Sequence, residues 1–300
     1  MPRRRILDTT GTAFALAFAI VLNAACRDAA PWQAKDWRPE HPPQRIVAAS
    51  VLAIEVLLEI APRERIVGVH TLAADPRFSL VADKVRDFHL VGAEPEQLLS
   101  ARPDLVITDA FTRPETQTLL QAAGVPLLRT IAPSSLQDVA ANIRSIGRVC
   151  HLGSEAEALV QRTEHGMAAV QARGEGIDAW NVCSLDGALH TYGRGSLVDV
   201  VLAAAGARNI AADRGAGPFR KLDAEAVLAW RPDALIIAAM PGEEDRERAW
   251  LHEYPGLHLL PCVIRNRLLF VPGPLLGTTS HRVVDTAAFV QAALRTWGQP

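Results

Sequence analysis

Two glutamates raise the first chemical question. Glu96 opens the phrase EQLLSARPDLVI and Glu225 opens EAVLAWRPDALII, each followed at the same spacing by Arg-Pro-Asp and an aliphatic run. An acid in the first turn of a helix is favoured by the helix dipole, which is a sufficient reason for either one. One carboxylate in each repeat, on matching surface elements, is also what two basic sockets on a symmetric partner would require. Enzyme motifs are missing: the chain has neither a Gly-x-Ser-x-Gly elbow nor a His-Glu-x-x-His helix. Gly-Arg-Gly-Ser after Tyr192 lacks the Gly-Lys-Ser/Thr ending of a phosphate loop, and its glycines suit a tight turn. Cys150, Cys183 and Cys262 lack metal-ligand spacing and read as buried thiols, or as one disulfide and a leftover thiol.

The elements that must position these residues alternate. RIVAAS is a short strand, LAIEVLLEI a helix and RIVGVH a second strand. EQLLSA, DLVITDA, ETQTLLQAAG and VPLLRT continue as helix, strand, helix and strand. Two long helical stretches follow, SLQDVAANIRSIGRVC and SEAEALVQRTEHGMAAVQAR, the second opened by a capping box of Ser154 and Glu157. Alternation then resumes with WNVCSLDG, SLVDVVLAAAG, AEAVLAW, DALIIAAM and NRLLFV, and RVVDTAAFVQAALRTW closes the chain as a helix. Strands alternating with helices argue for parallel βα units, so the fold class expected is α/β, with two α/β lobes joined by one long backbone helix.

Composition limits the partners. The formal net charge of -2 over 300 residues speaks against nucleic acid, and no polybasic run suggests a lipid surface. The beginning differs in kind: MPRRRILD is cationic, GTAFALAFAIVL is apolar and too short for a comfortable membrane span, and NAAC brings small residues up to Cys26. That order is an export signal, and RRRIL loosely matches a twin-arginine signal. PWQAKDWRPEHPPQ has no periodicity and reads as a tether. The expected organisation is signal 1–25, tether 26–44, first lobe 45–153, linking helix 154–175 and second lobe 176–300.

Four ordered stretches resemble a known family. RIVAASVLAIEVLLEI with RIVGVH, PEQLLSARPDLVI, TYGRGSLVDVVLAAAGARNIAAD and SHRVVDTA are similar to the periplasmic substrate-binding proteins that deliver cobalamin, ferric siderophores or haem to ABC importers. The resemblance runs from about Arg45 to the last helix and implies a binding protein, not an enzyme, with no cofactor of its own. It implies a monomer in the periplasm that hands its chelate to an inner-membrane permease dimer, Glu96 and Glu225 docking on permease arginines. Cys26 resembles the lipidated cysteine of bacterial lipoproteins, with Leu22 one place early, and would anchor the protein to the membrane. The rival class is an exported enzyme on a related two-lobed fold, acting on a metal chelate or tetrapyrrole.

Mapped through the same resemblance, the ligand-binding cleft would draw on His70, Leu72, His89, Leu90, Arg113, His190, Tyr192, Arg194, Phe219, Arg220 and Arg282. The aromatic platform of cobalamin-binding members falls on Leu72, Leu90 and Phe219, so one aromatic remains there. His89 lies near the place of a tyrosine iron ligand in haem-binding members, and it is the metal-ligand candidate. Arg194, Arg220 and Arg282 would suit an anionic siderophore. Each has a plainer alternative: a hydrogen-bonded loop histidine, a core phenylalanine, or an arginine that satisfies backbone carbonyls at a helix start.

Overall fold

The computed structural model describes residues 39–174, 180–240 and 242–298. The signal, Cys26 and most of the expected tether lie outside the described residues. Five strands form the first sheet: β1 (Ile46–Ala48), β2 (Ile66–His70), β3 (Leu90–Val91), β4 (Leu105–Thr108) and β5 (Leu127–Arg129). All are parallel, in the order β3-β2-β1-β4-β5. The order reverses between β1 and β4, the switch point at whose carboxyl edge α/β sheets bind ligands.

The second lobe repeats the plan. Strands β6 (Asn181–Leu185), β8 (Arg208–Asn209), β10 (Ala234–Ala239) and β11 (Leu268–Pro272) form a parallel sheet in the order β11-β10-β6-β8. A two-stranded antiparallel ribbon, β7 (His190–Thr191) with β9 (Arg220–Lys221), stands beyond the carboxyl end of β6. Two-residue strands carry no readable alternation, so sequence periodicity passes over them. It also passes over the helix Glu244–Glu253, which is charged nearly all round and buries Leu251 alone.

The repeated Arg-Pro-Asp has the same physical task in both lobes. Arg102 and Arg231 end their helices in the left-handed conformation, at φ 48° and 50°, and the proline that follows prevents continuation. The aspartate then ties down the entry to its lobe's first central strand. Asp104 donates its N–H to the Arg45 carbonyl, and its carboxylate accepts from the N–H groups of Gln44 and Arg45 at 2.7 and 2.9 Å. Asp233 donates to the Asn181 carbonyl and accepts from the Asn181 N–H and side-chain amide at 3.0 and 2.7 Å.

One 22-residue helix, Gly153–Gly174, joins the lobes over about 33 Å. Its first half buries Ala156, Leu159 and Val160 in the first lobe's core, and its second half buries Met167 and Val170 in that of the second. The expected capping box is not formed. The Ser154 hydroxyl donates to Glu155, and Glu157 takes two bonds from Arg144 at 2.8 and 3.0 Å. A bidentate guanidinium is a stronger partner than one solvated amide, so the box residue turns outward. The helix starts one residue early, at Gly153, where the Leu152 carbonyl accepts from the Ala156 N–H.

The last residues of the expected tether lie against the first lobe. Buried Arg65 donates to the Pro43 carbonyl at 2.6 Å, and His151 Nε2 bonds the Pro39 carbonyl at 2.8 Å. Cys150, Cys183 and Cys262 are buried free thiols, each pushed up to about 12 by burial.

Candidate functional site

Parallel sheets send every strand's carboxyl end to one rim, so the candidate residues arrive there by topology. On the second lobe three of them come into contact. The His190 ring stacks on Phe219 with centroids 4.7 Å apart, and Tyr192 tilts against the same phenyl ring at 5.5 Å. The ribbon makes this possible, because His190 opens β7, Tyr192 follows it and Phe219 precedes β9. Gly193 permits the close approach. Its N–H bonds the Gly217 carbonyl and that of Arg194 bonds the Ala216 carbonyl, both at 2.9 Å. A Cβ at residue 193 would lie 2.3 Å from the Ala216 oxygen.

Asp186 orients the group. Its carboxylate accepts from the His190 N–H at 2.8 Å and meets the ring Nδ1 at 3.0 Å. Nδ1 therefore carries the hydrogen in the neutral ring and Nε2 keeps its lone pair, the arrangement of a metal-ligating imidazole. Burial first, and then the Asp186 charge, raises the Tyr192 hydroxyl, so it stays a neutral phenol. Arg194 and Arg220 are exposed on the same ribbon, and no carboxylate lies within ion-pair distance of either among the described residues. Phe219 is half-buried against these rings and stands outside the main core clusters.

The first lobe's rim has different chemistry. His70, at the end of β2, accepts from the Leu72 N–H through Nδ1 at 3.2 Å, so its Nε2 holds the hydrogen and is a donor. Burial lowers His70 while the Asp109 charge opposes it, and burial raises Asp109 in turn. Asp109 follows β4 and was not singled out from the sequence. It accepts from the Phe111 N–H at 3.0 Å and the Thr112 hydroxyl at 3.2 Å, while Arg129 donates to the carbonyls of Asp109 and Ala110. This bonded turn presents Phe111 with 39% of its surface exposed, and Leu90 across the sheet is 42% exposed. Sequence reasoning missed Phe111, although an aromatic just past a strand and an Asp turn was there to be seen.

Other candidates are dispersed. Leu72 is half-buried in the turn after β2, and His89 is exposed before β3. Among the described residues, no group of three His, Cys, Asp or Glu side chains is placed to hold a metal ion. Arg113 pairs with Glu94 and so joins the starts of two neighbouring helices. Arg282 lies in the seam between the lobes, 4.0 Å from Glu55 and 3.4 Å from Asp285. Glu96 and Glu225 are exposed, each the second residue of its helix. Asp223 caps the second of these helices through the Ala226 N–H.

Two parallel-sheet lobes on one helical spine, with polar and aromatic groups on both strand rims, define a two-lobed binding-protein class. The chain belongs to the periplasmic binding protein family, whose model matches residues 46–274. It is similar to a cobalamin-binding protein of Halobacterium salinarum, 23% identical over 254 residues. That match takes in 82% of this chain but spans only 66% of the relative. Among solved structures it is similar to the periplasmic heme-binding protein RhuT from Roseiflexus sp. RS-1 in apo form. The TM-score there is 0.75 at 28% identity, covering 84% of this chain and 98% of that one. A periplasmic heme binding protein from Pseudomonas aeruginosa gives 0.69 at 27%, over 86% and 95%. No helix among the described residues is long and apolar enough to cross a membrane.

Proposed function

We propose that the protein is the extracytoplasmic substrate-binding component of an ABC importer, and that it captures a metal chelate between its lobes. Haem is the ligand whose chemistry these groups match best. The observation that carries this is the second-lobe ribbon: a largely buried imidazole held by Asp186 through Nδ1 and stacked on Phe219, which Tyr192 also meets, beside Arg194 and Arg220. A flat apolar macrocycle with an anionic edge needs a ring platform, an iron ligand and unpaired guanidinium groups. Phe111 and Leu90 would cover its other face, and the remaining mapped residues, His89 among them, line the cleft.

In this reading Glu96 and Glu225 dock on basic sockets of a permease dimer, one from each lobe. The chain is a periplasmic monomer held to the membrane through a lipidated Cys26. Its folded body divides into lobes at 45–153 and 176–300 around the linking helix. The relatives and neighbours are named as binding proteins, which favours capture over turnover.

Absorbance titration with hemin, cyanocobalamin and a ferric hydroxamate is the test. Hemin is expected to give a stoichiometric shift of its Soret band, and His190→Ala to weaken it about tenfold or more. If none of the three chelates binds while a free sugar or amino acid does, the reading fails.

A further inference from the structure

Helix Val51–Ile60 carries two acids one turn apart on the same face, and both reach beyond their own sheet. Glu59 pairs with Arg162 of the linking helix at 3.5 Å. Glu55 is only 3% exposed and meets the other lobe: the Ser280 hydroxyl donates to its Oε2 at 2.6 Å, and Arg282 Nε lies 4.0 Å from its Oε1. The Leu80 backbone N–H and the Thr278 hydroxyl face this carboxyl and add smaller support for its charged form. Leu80 itself packs against the second lobe's core. The hydroxyls, the backbone N–H and the guanidinium favour the ionised form, but burial outweighs them and holds this carboxyl above its ordinary value.

A carboxylate so buried is costly unless its geometry is well satisfied, and an apolar side chain of similar volume is often as stable. Stability alone therefore does not account for a buried acid at this seam. We propose that Glu55 is a positioning residue for ligand capture: it sets the angle between the lobes and holds Arg282 in place, so that the cleft is preset in the unliganded protein. Leucine at this position would pack but would leave the lobes free to rock about the linking helix. Ligand would then find a cleft of variable width and escape from it sooner. The capture role rests on the reading that ligand binds between the lobes; the interlobe angle does not.

The test measures both. In soluble protein carrying Cys26→Ser, spin labels are placed on Ser100→Cys and Ala229→Cys, exposed positions in separate lobes. Cys150, Cys183 and Cys262 are buried and do not take label. Without ligand, a narrow interlobe distance distribution is expected for the parent and one at least twice as broad for Glu55→Leu, even where the melting temperature is unchanged. Ser280→Ala and Glu55→Gln should broaden it as well, and they keep the test decisive if the leucine variant fails to fold. Hemin dissociation should quicken about tenfold in Glu55→Leu. An unchanged distance distribution in the folded variants overturns the proposal, whatever binds. A broadened distribution with an unchanged hemin off-rate overturns the capture role and leaves the importer reading standing. A parent that binds no chelate refutes that reading instead.

Discussion

Gly193→Ala is the sharpest perturbation of the second-lobe ribbon. The added methyl would sit 2.3 Å from the Ala216 oxygen and 2.7 Å from both the Ala216 carbon and the Gly217 oxygen. All three are backbone atoms, so no side chain can swing aside, and the strands must part by about 1 Å to reach ordinary contact distance. That separation breaks the two 2.9 Å bonds from Gly193 and Arg194. Two lost hydrogen bonds at about 1 kcal/mol each, with overpacking of similar size, give a cost of roughly 3 kcal/mol. Gly195→Ala is the control. Gly195 has φ 82° but meets only Pro218 Cγ at 3.5 Å, so its cost is the left-handed backbone alone, about 1 kcal/mol. Thermal unfolding should drop by roughly 6 °C for Gly193→Ala and by about 2 °C for Gly195→Ala. Hemin affinity should fall with the first, because Tyr192 follows one strand of the parted ribbon and Phe219 precedes the other. Equal melting temperatures and equal affinities for the two variants would refute the packing argument.

Burial first, and the Arg282 charge second, depress His281 from its ordinary 6.5 to about 4. A depressed value means its contribution to stability is present above pH 6.5 and lost as pH falls toward 4. The loss should total about 3 kcal/mol in urea unfolding, and His281→Asn should flatten the slope in that window. Glu55, raised by burial, slopes the other way and will remain in the variant. Asp104→Ala and Asp233→Ala should each cost about 1–2 kcal/mol in the same assay. Their costs should add, since the two sites share no partner. Lysine at both Glu96 and Glu225 should abolish uptake in cells while solution affinity stays unchanged, because neither carboxylate bonds any group of the ribbon. Normal transport by that double variant would reduce both to helix-start residues.

What the sequence determined by itself is its local grammar. Strand and helix alternation, the 22-residue spine and the paired helix starts at Glu96 and Glu225 are all legible, because apolar periodicity and proline or aspartate signals act within a few residues. The duplicated Arg-Pro-Asp could be read as shared architecture, but its clamp on Arg45 and Asn181 could not. Those partners lie 59 and 52 positions away from their aspartates. The site divides the same way. His190, Tyr192 and Phe219 could be named as candidates, yet only the folded ribbon stacks them, across a two-residue strand too short to leave a period. Asp186, Asp109 and Phe111 gain their roles from turns whose bonds depend on where the strands end. Glu55 reads as one acid in an apolar helix. Its partner Ser280 stands 225 positions away, and only the docking of one lobe on the other brings that donor to the buried carboxyl.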